Sequence, residues 1–273
     1  MSKSHSDKFY LTSLSTHLKW IFGDLSRGEI YGIPESLFFR PKKDDPFRML
    51  RYGQTMETPI GVAAGPQTQL VQNIVSAWLT GSRYLELKTI QVLDELEVTK
   101  PCIDMADEGY NCEWSQELKL DQSFDEYLNA FIVLYILKDK LGLGEPGEAG
   151  FIFNMSAGYN LEGIQSPSVQ RFFDRMTGCE KELAEKIDEA AKLYPRVREL
   201  KIPARISDNL TVSTMHGCPP EEVEKIGSYF INERGFHTTI KLNPTLLGPE
   251  DLRGILNGKL GYQTWVPDEA FGH

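Results

Sequence analysis

The sequence predicts an α/β protein built on a parallel sheet. Three observations predict it. Short apolar runs alternate with segments of helical periodicity along most of the chain. Neither a repeat of fixed period nor a low-complexity tract interrupts that alternation. Polar residues gather at the carboxyl end of one run after another, the end where parallel α/β proteins place their sites. Two architectures satisfy these observations. One is an open doubly wound sheet; the other is a (β/α)₈ barrel of which only the first five or six units are visible.

Taken in order, residues 1–55 mix short helical and turn signals and read as an N-terminal extension to the sheet domain at 56–273. Thr58–Ala64 (TPIGVAA) is the first strand, bounded by Pro59 and Gly65. In Gln69–Thr80, Leu70, Ile74 and Trp78 share one helical face, and Gly81 closes the helix. Arg83–Ile90 (RYLELKTI) is the second strand. Residues 92–122 form a connection long enough to act as a lid or cover. A helix over Phe124–Leu141 is expected, with Ser123 and Glu126 at capping-box spacing. Phe151–Ser156 is the third strand, followed by helical segments near 167–176 and 180–200. Leu210–Met215 is the fourth strand and Pro220–Asn232 its helix. Thr238–Leu242 is the fifth strand, Pro249–Leu256 a short helix, and GYQTWV (261–266) a candidate sixth strand. A closed barrel needs eight strands, so the missing ones are expected from a second segment or another chain.

Bulk properties exclude several function classes. The 273 residues carry a net charge of −10 and contain no dense Lys/Arg cluster, which argues against nucleic acid as a partner. The longest dense apolar stretch, Ala130–Leu137, is far too short to span a membrane, and the polar start MSKSHSDK lacks a secretory apolar core. Cys102, Cys112, Cys179 and Cys218 form no C-x-x-C pair, so neither a disulfide framework, a metal site nor an iron–sulfur cluster built by this chain alone is expected. The expectation is a protein of the reducing cytoplasm.

Strands covered by helices on both sides should be apolar on both faces. Polar residues at their ends therefore stand out. The strand ends are Ala64-Gly65-Pro66, Lys88-Thr89, Asn154-Met155-Ser156, Ser213-Thr214-Met215-His216 and Lys241-Leu242-Asn243. Each has a plainer alternative. Lys88 can pair with Glu86 on its own strand, whereas Lys241 in IKLNP has no acid nearby in sequence. Asn154 can tie down a loop, Ser213 and Thr214 can be ordinary strand formers, and His216 can be a satisfied turn histidine. Gly65 can make a tight turn, or let a ligand approach the backbone. Cys218, before Pro219-Pro220, reads as a helix-start residue rather than a nucleophile.

These strand ends carry a resemblance. TPIGVAAGP, LELKTI, FIFNMSAGYN, TVSTMHG and IKLNP resemble successive barrel strands of the dihydroorotate dehydrogenase family, and LELKTI is also similar to dihydropyrimidine dehydrogenase. The longer segments AAGPQTQLVQNIVSAWLTG, ELKTIQVLDELEVTKPCID, FNMSAGYNLEGI and STMHGCPPEEVE resemble the N-terminal region of selenate-reductase-type flavoprotein subunits, which are related to glutamate synthase small subunits. The resemblance implies the incomplete (β/α)₈ TIM barrel rather than the doubly wound sheet. It implies an FMN contacted by backbone at Ala63, Ala64 and Gly65, by Lys88 and Thr89, by Asn154 and Asn160, and by Lys241. Catalysis would fall to Thr214, at the position of the family's acid or base, with Ser213 and His216 beside it. FAD, NAD(P)H and 4Fe–4S sites would lie only in parts outside this chain, alongside redox partner domains or subunits. The substrate would be a small molecule, pyrimidine- or purine-like. Thr211 replaces the family's asparagine and Met215 its proline, departures that bear on pyrimidine recognition and on the loop. Two readings stand against this one: a Schiff-base aldolase or dehydratase using Lys88 or Lys241, and a non-catalytic scaffold subunit of a redox complex.

Overall fold

The computed structural model describes residues 10–90, 92, 103–104, 110–111, 118–145, 147–214, 219–242 and 244–271. Its centre is a five-stranded, wholly parallel sheet of β1 (Gly61–Val62), β2 (Tyr84–Glu86), β3 (Ile152–Ala157), β4 (Asn209–Ser213) and β5 (His237–Lys241). The strands lie side by side in sequence order, with no reversal. A doubly wound sheet reverses its strand order at a switch point. Sequential order instead describes part of an α/β barrel, with five βα units present.

The expected sixth strand does not form. Residues 261–266 pair with no strand of the described chain and follow a π-helical turn, Gly254–Lys259. Their carbonyls are taken by side chains: Asn257 Nδ2 donates to Tyr262 O and Thr264 O at 2.8 and 2.7 Å, and Arg253 donates to Val266 O. Side chains meet these carbonyls where a neighbouring strand would otherwise do so.

Alternation along the strands sorts side chains into two faces. Leu85, Phe153, Met155, Ala157, Leu210 and Val212 join the apolar core under the helices. The opposite, concave face carries Glu86, Asn154, Ser156, Asn209, Thr211 and Ser213, all buried. The expectation of strands apolar on both faces thus holds only toward the helices.

Helix α1 (Leu14–Leu25) starts at Ser13, whose side chain accepts from Thr16 N, and buries Leu14, Leu18 and Ile21 in the same core. Helix α2 (Val71–Leu79) buries Ile74, Val75 and Trp78, and Gly81 follows at φ +112°, in the region that favours glycine. Helix α3 (Leu120–Leu141) begins four residues before the expected start. The Lys119 N–H donates to Gln122 Oε1 at 2.8 Å, while Ser123 and Glu126 are buried inside the helix and form no capping box there. The helices α4 (Leu161–Ile164), α5 (Pro167–Thr177) and α6 (Glu180–Ala190) complete the third crossover, and a turn at Pro195–Glu199 ends the segment expected to run helical to 200. Helix α7 (Val223–Asn232) covers β4 and β5, and α8 (Pro249–Arg253) follows β5.

The hairpin Met49–Arg51/Gln54–Met56 closes the amino-terminal end of the sheet. Tyr52 stacks on His237 with ring centroids 4.7 Å apart, its hydroxyl meets Thr239 Oγ1 at 3.1 Å, and Gln54 Nε2 donates to Asp208 at 3.2 Å. Beneath β2, Arg83 Nε donates to Glu57 Oε2 at 2.5 Å, and Lys138 Nζ lies 3.8 Å from Glu57 Oε1. Gly150, at φ +76°, packs against that carboxylate, where an added Cβ would come within 2.5 Å.

Candidate functional site

The carboxyl ends of the strands gather most of the expected residues on one concave face. Lys88 follows β2 and is 2% exposed. Its carbonyl accepts from Tyr127 Oη at 3.5 Å and its N–H donates to Thr68 O at 3.5 Å. Glu86, two residues earlier on the same face, contacts Lys241, whose Nζ lies 3.5 Å from Glu86 Oε1. Lys241 therefore does have an acid, supplied from three strands away and invisible in IKLNP. Strands β2 and β5 are about 14 Å apart along a flat sheet, so this pair closes over the concave face.

Thr89 Oγ1 and Ser156 Oγ meet at 2.9 Å. Asn154 is spent between strands: its Nδ2 donates to Asn209 Oδ1 at 2.7 Å and its Oδ1 accepts from Thr211 Oγ1 at 2.6 Å. Thr211 thus holds Asn154 in place. Asn160 caps α4, with Oδ1 accepting from Gly163 N at 3.0 Å. The Thr214 hydroxyl donates to Lys241 O at 2.8 Å, tying the end of β4 to β5, and Ser213 is buried. His216, with Met215 and Cys218, lies outside the described residues.

Just after β1, Ala63 is exposed, Ala64 half-buried and Gly65 buried. The turn after them is fixed locally: Gly65 N donates to Thr68 Oγ1 at 3.1 Å and Thr68 N to Gly65 O at 2.9 Å. Gln67 Nε2 reaches Ala63 O at 3.4 Å while its buried Oε1 has no partner.

Sequence reasoning passed over Glu86 as the partner of Lys241, Ser156 as that of Thr89, and Asn209 and Thr211 as the holders of Asn154. Period-two alternation through LELK and NMS was the signal that could have found the first two. Two clefts, of about 590 and 660 Å³, lie elsewhere. The first sits between the end of α3 and Glu199–Lys201, the second beside α4 and Glu222, and neither contains a candidate site residue. The concave face is the better site because its polar groups converge. Among the described residues there is no metal-binding cluster and no helix long and apolar enough to cross a membrane.

Comparison with known proteins agrees with this architecture. Two curated relatives, each named "Putative oxidoreductase YgfK", come from Escherichia coli K12 and O157:H7. Each is 44% identical over 269 residues, covering 89% of this chain and 25% of the relative. The chain thus spans a quarter of their length. Among solved structures, ligand-free DHODH from Eimeria tenella superposes with a TM-score of 0.40 at 18% identity, over 78% of this chain and 66% of that one. DHODH from Eimeria tenella in complex with ferulenol gives 0.43 at 16% identity, over 90% and 70%. The family described as "Oxidoreductase YgfK, N-terminal TIM-barrel domain" matches residues 31–273, and the chain belongs to it.

Proposed function

We propose that the chain is the FMN-binding part of a flavin-dependent oxidoreductase, passing hydride or electrons between a small pyrimidine- or purine-like substrate and FMN at the carboxyl-terminal face of the barrel. The observation that carries this reading is the pair of lysines on one concave face, Lys88 buried and Lys241 reaching in to Glu86. That donor set fits a flavin. Bound there, FMN supplies a two-electron carrier whose ring gains negative charge along one edge on reduction. Lys88 places positive charge where burial and a low dielectric strengthen its effect, and the half-exposed Lys241 adds charge from the rim. Ala63, Ala64 and Gly65 offer backbone with little side chain in the way of a flat ring. Asn154 and the Thr89–Ser156 pair supply oriented dipoles next to them. Ser213, Thr214 and His216 are the residues assigned here to exchange a proton with the substrate. The Thr214 hydroxyl, now directed at Lys241 O, has to turn toward the substrate to serve.

The flavin phosphate is normally held by loops after the seventh and eighth barrel strands. The remaining strands are assigned to a second segment or chain, on which Ile60 and Leu242, 63% and 61% exposed beside the outer strands, would be covered. NAD(P)H, FAD and iron–sulfur centres belong to redox partners beyond this domain, in a cytoplasmic protein.

The test is the flavin content and visible absorption of the purified full-length protein, together with borohydride treatment. FMN retained stoichiometrically supports the reading. A lysine adduct trapped by borohydride in a protein without flavin would replace it with the Schiff-base alternative.

A further inference from the structure

Helix α2 directly follows the first strand-to-helix turn of the candidate site, yet its own N-cap position is Leu70, which has no side chain able to accept a hydrogen bond. The missing cap comes from another helix. Glu126, 1% exposed in the middle of α3, accepts the Val71 N–H at 2.9 Å through Oε2. Its Oε1 is buried with no partner. The next residue, Tyr127, donates to the Lys88 carbonyl. Lys88 N–H in turn donates to Thr68 O, inside the Gly65–Gln69 turn. Two adjacent residues of α3 therefore brace two of the segments from which the resemblance draws flavin contacts.

We propose that Glu126 is a positioning residue, holding the Gly65–Val71 segment against the carboxyl-terminal face in a manner that depends on its protonation state. The inference rests on the flavin reading only for the identity of the ligand. A carboxylate is a stronger acceptor than a carboxylic acid and suits the positive end of a helix, so the ionised form clamps α2 more tightly. Against ionisation stands its burial, which pushes the Glu126 carboxyl up to about 7, opposed by the Val71 N–H. Asp125 beside it adds to the rise, and Lys186 of α6, paired with Asp125 at 2.8 Å, opposes it. Tyr31, after α1, is held neutral by burial in the field of Asp24 and Glu126, and bonds to His17 Nδ1 at 2.9 Å. His17 is pulled down to about 4 by burial and is neutral at physiological pH. The buried Tyr127 is neutral as well. Among these groups, Glu126 is the one whose charge changes near neutral pH.

The experiment uses the full-length protein, Glu126→Gln and Glu126→Ala, with amide hydrogen exchange of the peptide covering 65–72 and titration with FMN, each from pH 5.5 to 8.5. The expected result is an inflection near pH 7 in both exchange and FMN affinity of the parent. It should be lost in Glu126→Gln, which keeps the shape of the neutral acid. Exchange in 65–72 should rise at least tenfold in Glu126→Ala while peptides of α5 are unchanged. Parent and Glu126→Gln sharing one pH profile would overturn the proposal, as would unchanged exchange in Glu126→Ala. If the parent binds no FMN, the flavin reading fails, and the exchange arm alone decides the role of Glu126.

Discussion

The two ends of the sheet treat buried charge in opposite ways. At the amino-terminal end, one buried carboxylate, Glu57, is gripped by Arg83 at 2.5 Å and approached by Lys138 at 3.8 Å, with Arg83 Nη2 left buried without a partner. Arg83 holds Glu57, donates to the carbonyls of Trp78 and Ser82 at 2.6 and 3.0 Å, and lies over the Trp78 ring. Lys138 completes the group with bonds to the carbonyls of Glu148 and Ala149. Burial pulls the Arg83 guanidinium down from its ordinary value, opposed chiefly by Glu57. At the carboxyl-terminal end, cations, hydroxyls and amides converge on one concave face, and Lys241 meets Glu86 at 3.5 Å from a half-exposed position. The first arrangement suits rigidity; the second, on the proposed reading, suits a ligand. The difference follows the division of labour in (β/α) barrels, stability at one face and chemistry at the other.

The comparison breaks most readily at its rigid end. Arg83→Met removes one partner and leaves Glu57 buried with Lys138 alone. Destabilisation of about 3–5 kcal/mol is expected in a urea titration, and a loss under 1 kcal/mol would show that the cluster does not hold this end together. At the other end the effects should fall on turnover. Thr214→Ala is expected to slow the reaction about 100-fold with FMN binding kept, and Thr214→Ser to restore most of the rate. Equal rates in Thr214→Ala and the parent would leave Thr214 only its bond to Lys241 O.

A titration sharpens the picture between the two ends. The folded-state value of Glu126 is raised, from 4.5 to about 7. The folded protein therefore keeps a proton that the unfolded chain gives up. Stability from this group is full below about pH 4.5, falls as pH rises to about 7, and amounts to at most about 3 kcal/mol. His17, lowered to about 4, acts in the opposite sense between pH 4 and 6.5. Comparing the pH dependence of melting in the parent and Glu126→Gln cancels the His17 contribution. Identical curves would remove Glu126 as a neutral-range titrating group. The smallest effect is expected from Tyr52→Phe, which loses the bonds to Thr239 and Arg51 while keeping the stack on His237. It should cost about 1 kcal/mol, and a loss above 3 kcal/mol would mean that the hydroxyl anchors more than this plug.

Much of this was legible in the sequence because the local signals and the fold agree. Each of the five apolar runs contains a strand, and Lys241, Asn154 and Ser213 come to one face by alternation along parallel neighbours, with Lys88 just beyond the end of its strand. What escaped depends on contacts across the fold. Glu126 has the spacing of a capping residue for its own helix and serves instead as the cap of another. Lys241 finds its acid 155 positions away in the chain. Tyr262 and Trp265 have the residue types of a strand, but strand propensity acts only where a neighbour offers its hydrogen bonds.

The central claim, that the concave face at the carboxyl end is a flavin site and the amino end is scaffold, is tested most directly by FMN titration of Lys88→Met in the full-length protein, followed by flavin fluorescence. Loss of a charged contact of this kind is expected to weaken FMN at least tenfold, with the melting temperature within a few degrees of the parent. FMN affinity equal to that of the parent would contradict the claim.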